Sequence, residues 1–544
     1  MVIMEKNEKK ELFWADQIAN KIIERETFRY SDKKMRKFDK YTSKSAASLS
    51  GVLHIGRLSD VIRHISVHRA LLDKGVKSRV IWIADDTDPL RKIPKGMPAD
   101  FEKYIGAPVD RIPDFEKCHK SYADHHIEEY LGVIHKYSYE DLEIYRMSEE
   151  YKKSSFTPQI KKILANVDKI REIQNKHRTN PLKKDWSPWR VICENCGKSM
   201  TAQAKITEDG KAVYRCKDYT FETTVAKGCG HKAESNPLKD DGKLAFKSEW
   251  AAQWDFWQVT CEGAGKEYQV PNSAYWINQE ISESVLDFPG PEPFFYEHLF
   301  IDGTKMSASL GNVIYPKGWL QVATPELLRF FYNKRLMMHR TFSWRELPHL
   351  YDEYDEAAKI FAGQVKVDNE KEEVHLKRQF EISNKRKAAG KPLEMSFIHA
   401  SMIAQTFKDD KSIISNLKKT GQYEKSVEKE LLERVAKASE WVKLYAPEEY
   451  KFEVKENVSE DMKKKLSPQQ KKAISKFAKL LKSKSWKQKE LINETKKIFE
   501  SEKLKPNEFF EAAYLVLLGK EKGPRLVPFV LTLGDKAVNL FEQI

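Results

Sequence analysis

The chain has 544 residues, too many for one ordinary domain, so two to four are expected. Its 40% hydrophobic content, with Trp 12, Tyr 22 and Phe 27, excludes a disordered chain, and no apolar run approaches the roughly 18 residues that span a bilayer. The formal net charge of +14 suits a polyanionic partner such as RNA, unless lysine is simply abundant throughout the source proteome.

The first ten residues lack the apolar core of a secretory leader, so a cytoplasmic location is expected. Residues 10–30 carry apolar positions at helical spacing, and Phe38–Thr42 reads as the first strand. The stretch Leu49-Ser50-Gly51-Val52-Leu53-His54-Ile55-Gly56-Arg57 follows as a Gly-rich turn opening a helix over 57–74, which stops at Gly75. A helix N-terminus presents unpaired N–H groups and a positive dipole end to phosphate. Gly51 and Gly56 allow close backbone approach, and His54 sits where an imidazole can donate to a triphosphate. Ser78–Ala84 is a nearly continuous apolar run, expected as a buried parallel strand ending at Asp85-Asp86-Thr87-Asp88-Pro89. This βαβ unit opens a doubly wound fold, whose ligands bind at the carboxyl ends of the strands.

Residues 122–180 read as mostly helical, 186–245 as Cys- and Gly-rich, and Gln258–Cys261 as a strand. Lys305-Met306-Ser307-Ala308-Ser309 lies between Gly303 and Gly311, where Lys305 can stabilise a pentavalent phosphorus transition state. From about 350 onward the pattern is helical, rich in Lys and Glu.

Four of the six cysteines cluster. Cys193-x2-Cys196, Cys216 and Cys229-Gly230-His231 resemble a zinc knuckle with a stretched second half, in which His231 can replace one thiolate; reduced, buried cysteines are the alternative. Asp114, Cys118, His119 and His125 are all zinc-ligand types and form a second, weaker candidate, against a plain His-rich surface turn. Cys261 stands alone and reads as a small core residue.

The His54 and Lys305 motifs, in this order and about this far apart, resemble the two ATP-binding signatures of class I aminoacyl-tRNA synthetases. Further stretches resemble class I lysyl-tRNA synthetase in particular: Val80–Pro94, Tyr104–Pro113 running into Ser121–His125, Gly242–Trp250 with Trp254, Phe295–Ser309, and Leu518–Leu526. The resemblance therefore runs along nearly the whole chain. It implies an α/β fold: a split Rossmann-like parallel-sheet catalytic domain with a zinc-bearing insertion, followed by an all-α C-terminal anticodon-binding region. The expected divisions are 1–150 and 246–345 for the catalytic halves, 151–245 for the insertion and 346–544 for the helical region. Implied too are ATP with Mg2+, structural Zn2+, lysine, and tRNA held at its acceptor stem and anticodon.

His54, Lys305 and Ser307 are the expected catalytic residues. Ser50, Gly51, His54, Gly56, Arg57, Lys305, Met306, Ser307, Ala308 and Ser309 form the expected ATP cradle. Ala46, Ser48, Asp85, Phe246, Tyr268 and Tyr296 form the expected amino-acid pocket. A substrate ammonium needs an acidic partner, and Asp85, Asp86, Glu280, Glu283 and Glu297 are all candidates. Lys463–Lys465, Lys471, Lys472 and Lys487 with Trp486 are candidates for RNA contact, against lysines on solvated helix faces. The chain departs from the family pattern at several places. Arg57 replaces Asn or His, Ala308 replaces Ser or Lys, and Leu310 replaces Lys. In the pocket, Ala46 replaces Gly, Ser48 replaces Thr, Phe246 replaces Trp and Tyr268 replaces His. These departures leave two alternatives open, a ligase for another amino acid and an inactive tRNA-binding paralogue. Retention of His54, Gly56 and Lys305 speaks against the second.

Overall fold

The computed structural model describes residues 13–49, 51, 53–94, 97–139, 142–306, 312–385 and 392–544. It divides into two compact units, the first comprising Met1–Gly318, Leu328–Phe342 and Asp368–Arg386, and the second the remainder.

In the first unit, five strands among the described residues form a parallel sheet: β1 (Tyr41–Ser48), β2 (Ser78–Asp85), β3 (Leu142–Arg146), β4 (Val259–Gly265) and β5 (Glu292–Tyr296). Their order is β5-β4-β1-β2-β3. The chain winds outward from β1 through β2 to β3, then restarts on the other side with β4 and β5. The switch point thus lies between β1 and β4, and the crevice at their carboxyl ends is where such sheets bind ligands. β1 lies further along the chain than the Phe38–Thr42 expectation, since its burial comes from polar and small residues rather than an apolar run. β3 falls inside the stretch expected to be helical; its five residues are too few for a periodic signal.

Helix α1 (Trp14–Glu24) packs on α2 (Ile55–Asp73) through Phe13, Trp14, Ile18 and Ile22 against Val67, Ala70 and Leu71. Helix α3 (Tyr122–Ser138) covers the same face, with Tyr130 against Trp82 of β2. Helix α2 is buried on nearly every side, which explains its weak amphipathic pattern. The opposite face is covered by α4 (Phe246–Trp257), α5 (Ala274–Ile281) and the helices Thr157–Leu164 and Val167–Asn175. These share one core in which Ile81, Ile83, Trp250, Trp254, Trp257 and Tyr275 are buried.

The Cys-rich segment folds as small antiparallel sheets. Ala202–Ile206, Ala212–Cys216 and Lys232–Ser235 form one, and Trp189–Val191 pairs with Gly242–Leu244 as a stem. Trp189, Val191 and Cys193 join the same core as the parallel sheet, so this segment is anchored rather than loosely appended. Helix Glu370–Ser383, expected with the helical region after 346, packs in the first unit. There Arg378 pairs with Asp16 and Asp73, and Gln379 donates to the Phe330 carbonyl.

The second unit is helical. Phe477, Leu491, Phe499, Phe509 and Phe541 meet in its core, and Ser467 caps helix Pro468–Ser483 through a reciprocal bond with Gln470. Arg434 lies almost fully buried and grips Asp355 with two bonds of 2.5 and 2.7 Å.

Candidate active site and metal centres

The helix after β1 begins at Ile55, with His54 as its N-cap. The Nδ1 of His54 accepts the Gly56 N–H at 3.2 Å. Burial, aided by the nearby Arg57 guanidinium, pushes the imidazole down to about 4. The ring is therefore neutral at physiological pH, and with Nδ1 accepting, its one proton sits on Nε2. Among the described residues nothing lies within 4 Å of a Cβ built on Gly51; Ser50 lies outside the described residues.

The second motif follows a hairpin, Leu299–Ile301 against Thr304–Lys305, turned by Asp302 and Gly303 at φ 48° and 76°. That Asp-Gly pair supplies the left-handed conformation a tight hairpin turn requires. Lys305 ends the hairpin exposed to solvent, while Met306 turns inward at 7% exposure. Ser307, Ala308, Ser309 and Leu310 lie outside the described residues. Beyond them the Ile314 carbonyl accepts the Ile55 N–H at 2.9 Å, tying the chain back to the start of α2. A Cβ on Gly56 would meet Met306 Cε at 2.7 Å and the His54 ring at 2.8 Å. Two motifs far apart in sequence therefore close on one glycine.

Side chains alternate across β1. Ser45 points to the α2 face, where it donates to Asp60 at 2.5 Å. Lys44, Ala46 and Ser48 take the α4 face. Lys44 is buried there and pairs with Glu262 of β4 at 2.6 Å, and Trp254 Nε1–H donates to the same carboxylate. Ser48 lies in register with Asp85, the last residue of β2. Trp250 stands over this edge, stacked on Phe246 at 5.2 Å and edge-on to Tyr268 at 5.4 Å.

Of the five candidate carboxylates, four are already paired. Asp86 accepts from Arg146 and from Ser148. Glu280 pairs with Lys176 at 2.5 Å, Glu283 with Arg25 at 3.0 Å, and Glu297 with Lys266 at 2.8 Å. Asp85 differs: its buried Oδ1 has no hydrogen-bond partner among the described residues. Burial, reinforced by the neighbouring charges of Asp88 and Glu249, pushes its carboxyl up to about 8. Tyr296 is separated from this group. It faces α2, donating to Asp60 at 2.6 Å beneath the Arg63 guanidinium. Asp60, Lys44, Lys243, Glu249 and Glu262 went unread in the sequence. A charged residue inside an otherwise buried strand or helix, as Lys44 and Asp60 are, is the signal that could have found them.

The sulfurs of Cys193, Cys196, Cys216 and Cys229 all lie within 4.8 Å of one another. The Cys193–Cys229 and Cys196–Cys216 separations are 3.7 and 3.6 Å. A tetrahedron with zinc–sulfur bonds of about 2.3 Å has edges of roughly 3.8 Å, so the donor set fits such an ion. His231 does not join them; its Nε2 meets Glu194 at 2.7 Å, and its carbonyl accepts from the Cys216 N–H. Four thiolates fill a tetrahedron, leaving no place for a fifth ligand. Asp114, Cys118, His119 and His125 form a second group, also within 4.8 Å of one another. There three backbone N–H groups and the Cys118 thiol converge on the Asp114 carboxylate, which holds it far below the usual range despite its burial.

Residues 12–386 match the family model described as tRNA synthetases class I (K), and residues 404–539 match one described as an anticodon binding domain. A lysine--tRNA ligase from Methanocaldococcus jannaschii is 33% identical, covering 98% of this chain and 100% of its own length. Lysine--tRNA ligases from Methanosphaera stadtmanae and Methanococcus maripaludis are each 30% identical, covering 96% and 97% of this chain and 98% of their own. No helix among the described residues is long and apolar enough to cross a membrane. With both signatures joined at Gly56 on a split parallel sheet, and with this match along its length, the chain belongs to the class I tRNA synthetases of the lysine type.

Proposed function

We propose that this protein activates lysine with ATP and transfers it to the 3′ end of a lysine-accepting tRNA. The observation that carries the choice of an ammonium-bearing substrate is Asp85, the one of the five candidate carboxylates with a buried oxygen that has no partner among the described residues. An ammonium delivered there would relieve a cost of about 1–3 kcal/mol or more. Phe246, Trp250 and Tyr268 offer an aromatic wall beside it for an aliphatic stem, with Ala46 and Ser48 as the floor. Tyr296 contributes from the other face by fixing Asp60.

In the first step a carboxylate oxygen of lysine attacks the α-phosphorus of ATP, and pyrophosphate leaves. In the second, a terminal ribose hydroxyl of tRNA attacks the activated carbonyl, and AMP leaves. Neither step needs a covalent nucleophile from the protein; placing the reactants and neutralising charge suffice. His54 donates through Nε2 to a phosphate oxygen, with Gly51 and Gly56 giving the nucleotide room and Arg57 adding positive charge. Lys305 supplies positive charge to the phosphates, Met306 seats the motif against Gly56, and Ser307, Ala308 and Ser309 of the same motif complete the cradle. Mg2+ bound with ATP would supply charge neutralisation at the phosphate oxygens. Zn2+ in the four-cysteine cluster is structural, and the Asp114 group is a second zinc candidate. The helical second unit takes the anticodon end of the tRNA.

The test is tRNA-dependent aminoacylation, offering each amino acid separately with total tRNA and Mg-ATP. Lysine acceptance alone is expected. Charging of another amino acid would make Ala46, Phe246 and Tyr268 its specificity determinants. Binding of tRNA without charging would establish an inactive paralogue.

A further inference from the structure

Lys243 is almost fully buried, at 8% side-chain exposure, and bridges two carboxylates: Asp88 at 3.0 Å and Glu249 at 3.1 Å. A lysine buried this far persists only where it is paired. Its place in the chain is what matters. It is the middle residue of Gly242–Leu244, the strand that pairs with Trp189–Val191 to form the stem of the four-cysteine segment. Cys193 follows two residues after that stem, buried in the shared core. The stem admits no side chain at Gly242, where a Cβ would lie 2.4 Å from the Trp189 ring. Leu244 N–H is held by the Tyr151 hydroxyl, which itself donates to Glu249 at 2.6 Å. Lys243 is thus locked from both neighbours.

We infer that Lys243 is a positioning residue for substrate selection, through which the four-cysteine segment keeps Asp85 able to receive the amino acid's ammonium group. This rests on the proposed role of Asp85. The groups facing Asp85 are Asp88, backed by Arg91, from its own loop; Glu249 from α4; Lys243 from the stem; and Lys44, committed to Glu262, from β1. Burial and the two acids oppose its ionisation, while Lys243 and Lys44 favour it. Since Lys44 already has a partner, Lys243 is the cation that neutralises Asp88 and Glu249. Without it three carboxyls share one buried corner, and like charges so close cannot all ionise. Asp85 would stay protonated to higher pH and lose its hold on a cation. The ATP cradle at Gly56 and Met306 contains none of these groups.

The experiment compares Lys243→Met, Lys243→Arg and Asp85→Asn with the parent in tRNA-dependent aminoacylation, titrating lysine and ATP separately across pH 6–9. Lys243→Met is expected to raise the KM for lysine about tenfold at pH 7, with the KM for ATP and kcat within about threefold. The acid limb of kcat/KM for lysine should move to higher pH by about one unit, and Lys243→Arg should restore most of it. Lost stability alone would lower active enzyme at every pH without moving that limb; a melting curve and active-site titration account for it. If Asp85→Asn raises the lysine KM but Lys243→Met leaves both KM and limb unchanged, the inference on Lys243 fails and the function stands. If Asp85→Asn itself leaves the lysine KM unchanged, the Asp85 reading fails, and this inference with it.

Discussion

Replacing Gly56 with alanine should nearly abolish activity while leaving the fold intact. The added Cβ would stand 2.7 Å from Met306 Cε and 2.8 Å from Cε1 and Nδ1 of His54. That is about 1 Å inside normal carbon contact. The Met306 thioether can swing away, but the His54 ring cannot, since moving it breaks the 3.2 Å bond from the Gly56 N–H. The stability terms oppose each other. Alanine gains up to about 1 kcal/mol of helix propensity in the first turn of α2, and overpacking costs about 1–3 kcal/mol. The net change should stay within about 2 kcal/mol. Function has no such offset, because a catalytic group displaced by about 1 Å costs on the order of 100-fold. The assay is aminoacylation with ATP titrated, beside a melting curve. Gly51→Ala is the control: with no described residue within 4 Å of the added Cβ, the melting curve should stay put, and a loss of activity then reports the nucleotide's approach. If Gly56→Ala keeps kcat/KM for ATP within threefold of the parent, the two motifs do not build one site at this glycine.

Further outcomes follow from the same structure. Cys193→Ser should lower bound zinc by about one equivalent per chain and destabilise the first unit, checked by metal analysis and calorimetry. His231→Ala, which removes a residue outside the four-sulfur cluster, should leave the metal content unchanged. Arg434→Ala should destabilise the helical unit by about 3–5 kcal/mol, because it strands Asp355 in a largely buried place; denaturant unfolding followed by circular dichroism reads this. Asp85→Asn should raise the melting temperature while raising the lysine KM. A carboxyl pushed up to about 8 opposes folding as pH rises from about 4 toward 8, and asparagine removes that charge. No gain in melting temperature at pH 8 would contradict an unpartnered Asp85.

The sheet was legible where its strands are apolar. Ser78–Ala84 stands out because it is buried on both faces and needs no alternation. β1 is hidden in the sequence because Thr42, Ser43, Lys44 and Ser45 look like a surface loop. Three of them are buried with a polar group answered from another element: Thr42 by Arg79, Lys44 by Glu262 and Ser45 by Asp60. Such pairings join residues far apart in sequence, so no local window contains both partners. The motif residues His54, Gly56 and Met306 were readable as types at a spacing, but their meeting was not. The acidic candidates show the same limit. Asp85 and Asp86 are neighbours of identical chemistry, yet Arg146 and Ser148 answer Asp86, and β2 alternation turns Asp85 the other way. His231 fails as a ligand for a reason sequence does not carry: the four sulfurs already close the shell.

The corner around Asp85 also constrains the proton balance of binding. Four carboxyls, on Asp85, Asp88, Glu249 and Glu262, face two lysines, and both lysines are paired with the other three, Lys44 with Glu262 and Lys243 with Asp88 and Glu249. Among the described residues, Asp85 is the one of these four carboxyls with no cation paired to it. With its carboxyl pushed up to about 8, Asp85 in the free protein is mostly protonated at pH 7. An arriving ammonium favours the ionised form and so expels that proton. Lysine binding at pH 7 should therefore release close to one proton, falling toward zero near pH 9, where Asp85 is already ionised before the ligand arrives. Titration calorimetry in buffers of different ionisation enthalpy, with and without tRNA, measures that number directly. Release that does not change between pH 7 and pH 9 would mean that the ammonium meets a group already charged, and that Asp85 is not its partner. A neutral amino acid of similar length should release none, since it brings no charge to Asp85.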